Sequence, residues 1–193
     1  SVNFLEGEFQ RFFDWLNGEW GSPEERALAG KVKYLFFVGD LVDGVGVYPS
    51  QEDELSIPSI KGQYERVAEF LRQVPEGVRT VISPGNHDAS RLALPQPALR
   101  NEFVEPLQSL PNTLFVSNPS LVNVHSGKGF SGYDVLLYHG NSFDYYVNGV
   151  PSLRKAGYES PTKVMEFLLR KRHLAPSHGS TMVAPSVGKD FLL

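Results

Sequence analysis

Three short polar clusters in the chain carry side chains that bind metal ions or transfer protons. They are Gly39-Asp40-Leu41-Val42-Asp43, Gly85-Asn86-His87-Asp88 and His139-Gly140-Asn141-Ser142, and each follows a short apolar run. Carboxylate oxygens, amide oxygens and imidazole nitrogens are ligands for hard or borderline divalent ions, and a histidine also exchanges a proton near neutral pH. The clusters therefore indicate metal-assisted chemistry combined with acid–base chemistry.

The order of the clusters carries more weight than any one of them. A Gly-Asp or His-Gly pair after a strand is usually only a turn, whereas Gly-Asn-His-Asp after a buried strand is a specific pattern. Gly39 and Gly85 each precede candidate ligands, at a point where glycine permits backbone angles that other residues resist. All three clusters in one chain predict a single site assembled from strand ends.

The apolar runs before the clusters predict the strands that position them. The runs cover residues 32–38, 78–82 and 134–138, and their almost continuous apolar character is typical of strands buried on both faces. In α/β sheets, ligands bind beyond the carboxyl ends of the strands. We therefore expect three neighbouring strand ends in one sheet to bring the candidate ligands together. These are Asp40, Asn86, His87 and His139.

Helical patterns between the strands predict the α/β class. Apolar residues recur at helical spacing in residues 9–16 and 60–71. Gly21-Ser22-Pro23 is predicted to end the first helix. Ser160-Pro161 is predicted to open another, with serine as the N-cap and proline at the first helical position. Two further short strands are predicted at residues 114–116 and 121–124.

Composition and net charge limit the kinds of metal site and DNA-binding surface that the chain can form. The chain has 193 residues, of which 41% are hydrophobic and 21% charged, as expected for one soluble domain with its own core. It contains no cysteine, so disulfides and thiolate metal sites are excluded. The net charge of −4 argues against a large surface for duplex DNA. The negative charge does not argue against a metal site that binds the end of one DNA strand, because bound metal ions supply positive charge at the phosphate.

The sequence shows no membrane or export signal. No apolar run approaches the roughly 20 residues of a membrane helix, and residues 1–6 lack the basic start and apolar stretch of a signal peptide. We therefore expect an intracellular, cytoplasmic protein with no membrane partner. Because the sequence has no initiator methionine, we also expect it to be an excised or processed piece.

The three clusters resemble the motifs of the calcineurin-like metallophosphoesterases. That family's pattern is Asp-x-His, Gly-Asp-x-x-Asp, Gly-Asn-His-Asp/Glu, a histidine opening a short glycine-containing turn, and Gly-His-x-His. The resemblance implies a four-layer sandwich in which two packed sheets are flanked by helices. It also implies two divalent metal ions bridged by Asp40, with Asn86 and His139 as ligands of the second ion. His87 would be the general acid or phosphate contact, and Asp88 would orient it.

Longer stretches of the sequence resemble the small subunits of archaeal family D DNA polymerases. They are FFVGDLVDGVGVYP, ISPGNHDASRLALPQPAL, LLYHGNSFDYY and RKRHLAP, and the resemblance covers nearly the whole chain. In that family the subunit is a 3′→5′ exonuclease that proofreads for the large polymerase subunit. The resemblance thus implies two partners, the large catalytic subunit and the 3′ end of single-stranded DNA. Mn²⁺ is the expected ion, and Mg²⁺, Fe²⁺ and Zn²⁺ accept the same ligands.

Two motifs of the metallophosphoesterase pattern do not occur in the sequence. Asp-x-His is expected before the first helix, and Gly-His-x-His after residue 193. We therefore expect one phosphoesterase domain over residues 1–193 that is incomplete at both ends and binds metal weakly on its own. A catalytically inert scaffold subunit of a DNA polymerase is the alternative function. A phosphoesterase for phosphoproteins or nucleotides is a third, which the polymerase-like stretches disfavour.

Several other polar residues have structural interpretations. His125 is expected in a loop, and His173 ends a helix, where its charge is favourable for the helix dipole. Asp43 is as consistent with bracing its loop as with chemistry. Tyr145 and Tyr146 follow the third cluster and could stack on a base, although packing accounts for them equally well.

Overall fold

The computed structural model describes residues 4–173, 179 and 181–184. The chain divides into two compact units. The first unit comprises Ser1–Ser90 with Pro97–Ser117, and the second comprises Arg91–Gln96 with Asn118–Leu193. The described residues form helices and strands of both parallel and antiparallel sheets. This confirms the predicted α/β class, whereas the four-layer sandwich and the single domain stay predictions.

A parallel three-stranded sheet organises the first unit. Its strands are β1 (Tyr34–Val38), β2 (Arg79–Ser83) and β3 (Thr113–Phe115), in the order β1-β2-β3. Val38 and Ser83 lie opposite each other at the carboxyl ends of β1 and β2. The central strand β2 is buried from its second residue onward, as predicted, but β1 is only half-buried and is the first of the three strands that the described residues form in this sheet.

The helices of the first unit include one that the sequence patterns did not predict. The first predicted helix is α1 (Glu6–Leu16), and α2 (Pro23–Ala29) follows it. The Ser22 hydroxyl accepts a hydrogen bond from the Glu25 N–H, while the Glu25 carboxylate accepts one from the Ser22 N–H, which is a capping box. The prediction that Gly21-Ser22-Pro23 ends the first helix was wrong, because α1 already ends at Leu16 with Asn17 as its C-cap, and these residues open α2 instead. The unit also contains α3 (Ile60–Leu71), α4 (Glu105–Gln108) and 3-10 turns at Gln51–Glu54 and Glu102–Val104.

Aromatic side chains of α1 and α3 form the centre of the first unit's core. Phe13 is fully buried, and its ring centroid lies 5.1 Å from that of Phe9 in an edge-to-face arrangement. Phe70 packs against the same two rings. Aromatic pairs in this geometry add to the free energy gained by burying their area. The cluster fixes α1 against α3, which in turn packs beside the loops that follow the strands.

An antiparallel pair of strands and three helices form the second unit. The strands are β4 (Ser120–Val124) and β5 (Tyr133–Leu137), with Leu121 opposite Leu136. The prediction that β5 is buried on both faces and joins the sheet of the other two motif strands was wrong. β5 pairs with β4 alone among the described strands, and Tyr133 and Leu136 are 63% and 45% exposed.

The helices of the second unit share a small core of their own. They are α5 (Phe143–Gly149), α6 (Pro151–Ala156) and α7 (Pro161–Arg170). Tyr146 is buried in that core and its hydroxyl lies 2.9 Å from Nε2 of His173, so packing accounts for this tyrosine. Ser160 occupies the predicted N-cap position of α7, but its side chain makes no capping hydrogen bond. None of the helices in the described ranges is long and apolar enough to span a bilayer.

Replacing Phe13 by alanine tests the aromatic core of the first unit. Because Phe13 is fully buried, we expect the free energy of unfolding to fall by about 3–5 kcal/mol, measured by denaturant titration followed by circular dichroism. Leu28→Ala on α2 is the control, since Leu28 is exposed and its loss should change that free energy by less than about 0.5 kcal/mol. Similar losses in the two variants would contradict this core assignment.

Candidate active site

The carboxyl ends of β1 and β2 place the first two predicted clusters side by side. These strands are parallel and in register, so the loops that follow them leave the sheet at the same edge. The His87 N–H donates a hydrogen bond of 2.9 Å to Oδ1 of Asp40. The structure therefore brings together Asp40 and the segment Asn86-His87-Asp88, as the sequence predicted.

The turn after β1 has two consecutive residues in the left-handed region. Gly39 has a φ of 82° and Asp40 a φ of 50°. Glycine adopts this conformation without strain, and aspartate is one of the few other residues that tolerates it. The prediction that Gly39 is needed for its backbone angle is consistent with this geometry, and the turn leaves Asp40 exposed at the edge of the sheet.

Gly85 is required for a different reason from the one predicted. It is absent from the residues with positive φ. A Cβ atom at this position would lie 2.2 Å from Oδ1 and 2.4 Å from the backbone nitrogen of Asp40. Glycine is therefore needed because the two loops approach so closely that no side chain fits between them. This approach is what allows the Asp40 carboxylate to reach the His87 N–H.

The ring of His87 is oriented by a backbone carbonyl. Its Nδ1 atom lies 2.8 Å from the carbonyl oxygen of Asp43. Because a carbonyl oxygen only accepts hydrogen bonds, Nδ1 carries the proton, and the lone pair of the neutral ring lies on Nε2. The side chain is partly exposed. Nε2 is thus the atom that can exchange a proton with a substrate, and Asp43 braces the ring through its main chain.

Asp88 is the buried anchor of the two loops. It is 5% exposed, and its carboxylate accepts hydrogen bonds from the Gly85 N–H at 2.8 Å, the Leu41 N–H at 3.4 Å and the Tyr64 hydroxyl at 3.0 Å. Burial raises the pKa of this carboxyl above its ordinary value, while the three hydrogen bonds oppose that rise. These contacts join both loops to α3. A role in orienting His87 stays a prediction.

Tyr64 was predicted only as part of the apolar stripe of its helix. Its hydroxyl donates to Asp88 and accepts a hydrogen bond of 2.9 Å from the Ala89 N–H. Burial of the ring, followed by the nearby Asp88 charge, raises the pKa of this phenol, so it stays protonated. Gln51 and Gln63, which are buried beside the first loop, were also missed. For Tyr64 the one available signal was a polar hydroxyl on the apolar stripe of its helix, whereas Gln51 lies in a stretch with no apolar pattern and gave no signal.

The third cluster lies in the second unit. The His139 N–H donates a hydrogen bond of 3.0 Å to Oδ1 of Asn118, which is fully buried. Nδ2 of Asn118 in turn donates to Oε1 of Gln96 at 2.7 Å. Gly140 follows with a φ of 94°, as a tight turn requires. The backbone at His139 is therefore held by a buried pair of amides.

The candidate ligands have the atom types that divalent ions bind, but there are too few of them to complete a metal site. Asp40 and Asn86 belong to the first unit, and His139 to the second. Oxygen and imidazole donors suit Mn²⁺, Mg²⁺, Fe²⁺ and Zn²⁺. Across residues 4–173, 179 and 181–184, however, no group of three or more His, Asp or Glu side chains is placed to hold a metal ion. These residues do not complete a two-ion centre by themselves.

Comparison with known proteins gives a consistent family. The sequence model of the B-subunit family of DNA polymerases alpha and epsilon matches residues 24–191. The chain is 45% identical over 193 residues to a DNA polymerase II small subunit of Methanothermobacter thermautotrophicus, covering 100% of this chain and 38% of that protein. It is also 45% identical over 196 residues to the one of Archaeoglobus fulgidus, covering 100% of this chain and 37% of that protein. A relative of the same description from Halobacterium salinarum is 42% identical over 186 residues, which are 96% of this chain and 34% of that protein. The chain thus spans less than two fifths of the length of these relatives.

Replacing Tyr64 by phenylalanine tests the anchor at Asp88. The change leaves Oδ1 of Asp88 and the Ala89 N–H without their partner in a buried place. We expect the free energy of unfolding to fall by about 1–3 kcal/mol in a denaturant titration. Tyr48→Phe is the matched control, because that hydroxyl is exposed and donates to Glu54. It should leave the free energy of unfolding unchanged, and an equal loss in both variants would refute the anchor.

Replacing Gly85 by alanine tests the close approach of the loops. The added methyl group must displace Asp40, and we expect a loss of about 1–3 kcal/mol in the free energy of unfolding. The amide resonance of His87 should also shift, because its acceptor moves. Gly77→Ala is the control, since a Cβ there meets nothing within 4 Å. An unchanged His87 resonance in Gly85→Ala would show that the loops are not in contact.

Proposed function

This chain belongs to the B-subunit family of DNA polymerases alpha and epsilon, and from that premise we propose that it forms the phosphodiesterase part of a metal-dependent 3′→5′ DNA exonuclease. In this proposal the exonuclease proofreads for a replicative archaeal DNA polymerase. One observation carries the proposal. His87 lies in the loop beside Asp40, and its Nδ1 is bound to a backbone carbonyl, which presents Nε2 as an acid–base group.

The proposed reaction is hydrolysis of the terminal phosphodiester bond of a DNA strand. In its doubly protonated form, His87 donates a proton or a hydrogen bond from its Nε2–H to the leaving 3′-oxygen, and loss of that proton leaves the neutral ring with its proton on Nδ1. The Asp43 carbonyl keeps the ring in the orientation that this requires. Asp88 holds the loop that carries His87 against the loop that carries Asp40. The residues thus supply a positioned proton donor next to a carboxylate.

Two divalent ions are part of the proposal, with Mn²⁺ as the expected ion. Asp40, Asn86 and His139 would hold them in part, and the rest of the ligands would lie outside the described residues. Ions of this kind polarise phosphate oxygens and lower the pKa of bound water.

The proposed partners follow from the relatives. Similar proteins are described as small subunits of DNA polymerase II, so we propose a large catalytic polymerase subunit as the protein partner. The second partner is the 3′ end of single-stranded DNA. A net charge of −4 is compatible with binding this partner, because the end of one DNA strand needs little phosphate-binding surface on the protein. A role in replication also places the protein inside the cell.

A scaffold subunit without catalysis is the second candidate. It is favoured by the finding that the described part of the chain contains no group of three or more His, Asp or Glu side chains suited to a metal. In that case the buried contacts around Asp88 would serve only to stabilise the fold.

Strand shortening distinguishes the two candidates. The 193-residue chain and a version extended to the length of its relatives are incubated with Mn²⁺ and single-stranded DNA labelled at either end. The exonuclease predicts that the extended version releases the 3′ label at once and shortens the 5′-labelled strand stepwise. If neither version cuts DNA or binds Mn²⁺, the scaffold function replaces the exonuclease.

Replacing His87 by alanine in the extended version tests the proton donor. We expect the cleavage rate to fall by about a hundredfold or more, while the metal content, measured by mass spectrometry, stays unchanged. His125→Ala is the matched control, because His125 follows β4 and belongs to none of the three polar clusters. This variant should cleave DNA at the rate of the unchanged protein. Full activity of His87→Ala would remove His87 from the mechanism.

A further inference from the structure

One peptide group in the loop after β1 is held at both of its polar atoms. The carbonyl oxygen of Asp43 accepts a hydrogen bond of 2.8 Å from Nε2 of Gln51 and lies 2.8 Å from Nδ1 of His87. The N–H of the same peptide group, which belongs to Gly44, donates to Oε1 of Gln63 at 3.1 Å. Three side chains from three different segments therefore converge on the Asp43–Gly44 peptide group.

Both glutamines are buried, which is unusual for this residue type. Gln51 is 1% exposed and Gln63 is 8% exposed. Each uses both ends of its amide. Oε1 of Gln51 accepts from the Val47 N–H at 2.9 Å. Nε2 of Gln63 donates to the carbonyls of Gly44 and Ile57 at 3.1 Å and 3.0 Å. Because a buried amide left without partners is costly, these contacts hold the loop in one conformation.

The pattern of partners also fixes which way the Gln51 amide points. Its nitrogen faces a carbonyl, which only accepts, and its oxygen faces an N–H, which only donates. The Asp43 oxygen has two lone pairs, and Gln51 and His87 occupy both. The carbonyl therefore cannot turn away from the His87 ring without breaking a buried hydrogen bond.

The backbone at Gly44 also packs closely against the backbone of His87. Gly44 has a φ of 76°, and a Cβ there would lie 2.7 Å from the carbonyl oxygen of His87. The loop and the backbone of His87 are thus in direct contact. The same loop holds both the ring and the main chain of the candidate acid.

We infer that Gln51 is a positioning residue for His87. By fixing the Asp43 carbonyl, it keeps the proton of the neutral ring on Nδ1 and leaves Nε2 to react. The part of this inference that concerns cleavage rests on the proposed exonuclease function, whereas the effect on the ring does not. Gln51 itself is not placed in contact with substrate.

The matched variants are Gln51→Glu and Gln63→Glu. Each variant replaces the side-chain amide nitrogen by oxygen and keeps the oxygen that accepts a hydrogen bond from the loop. At position 51 that hydrogen bond comes from the Val47 N–H, and at position 63 from the Gly44 N–H. Both introduce a carboxylate at a buried position and lose donors to carbonyls. Only the change at Gln51 removes the donor to the Asp43 carbonyl.

The ring nitrogens of His87 are then observed by ¹⁵N NMR in the 193-residue chain without metal, at one fixed, mildly alkaline pH. We expect the parent and Gln63→Glu to show the proton on Nδ1. In Gln51→Glu the population should move toward the Nε2–H form, which neutral histidine prefers in water. If Gln51→Glu keeps the proton on Nδ1, the inference is overturned. Gln51→Met, which has similar size and no charge, provides the same test should the glutamate variant not fold.

Cleavage by the extended version provides the second measurement. We expect Gln51→Glu to lower kcat by about ten- to a hundredfold with KM changed by less than about threefold. Gln63→Glu keeps the donor to the Asp43 carbonyl and the acceptor for the Gly44 N–H, so its kcat should fall at least about threefold less than that of Gln51→Glu. An unchanged kcat in Gln51→Glu overturns the catalytic part of the inference. A tautomer change in a protein whose parent does not cut DNA would support the positioning role and refute the exonuclease, so the two failures are distinguishable.

Discussion

The buried carboxylate of Asp88 is the contact on which the arrangement of the first unit's loops depends. A carboxylate loses its hydration when it is buried, and this cost is offset only if donors surround it. Here the donors come from the loop after β1, from its own loop after β2, and from Tyr64 on α3. No one of these elements can move without leaving the carboxylate short of a partner. The helix α3 therefore supports the motif loops through the hydroxyl of Tyr64 and the amide of Gln63.

Main-chain groups do most of the positioning at the candidate site. Asp40 binds the His87 N–H, the Asp43 carbonyl binds the His87 ring, and the Gly85 backbone lies against Asp40. Main-chain groups that are fixed by buried side chains lose little further freedom when a substrate binds. This preorganisation is what a general acid needs. In the second unit, buried amides of Asn118 and Gln96 hold the backbone at His139 in a comparable way.

Much of the fold follows from local patterns in the sequence. The helical stripes predicted α1 and α3, and the apolar runs predicted β1 and β2. The capping box of α2 was readable as Ser22-Pro23-Glu24-Glu25, but Gly21-Ser22-Pro23 was interpreted as the end of the preceding helix, and that interpretation hid it. The pairing of β5 was mispredicted because an apolar run does not specify its partner strand. β5 joins β4 in an antiparallel pair that leaves Leu136 exposed.

The sequence by itself determined the candidate chemistry, since the types and order of Asp40, Asn86, His87 and His139 are visible without coordinates. Only the tertiary structure decided how His87 is held. Tyr64 is 24 residues from Asp88 in the chain, and His87 is 44 residues from the Asp43 carbonyl that orients it. Hydrogen bonds between distant segments leave no periodic trace in a sequence, because they depend on how the segments pack. A carbonyl that orients a ring also has no residue type of its own, so packing alone assigns it that role.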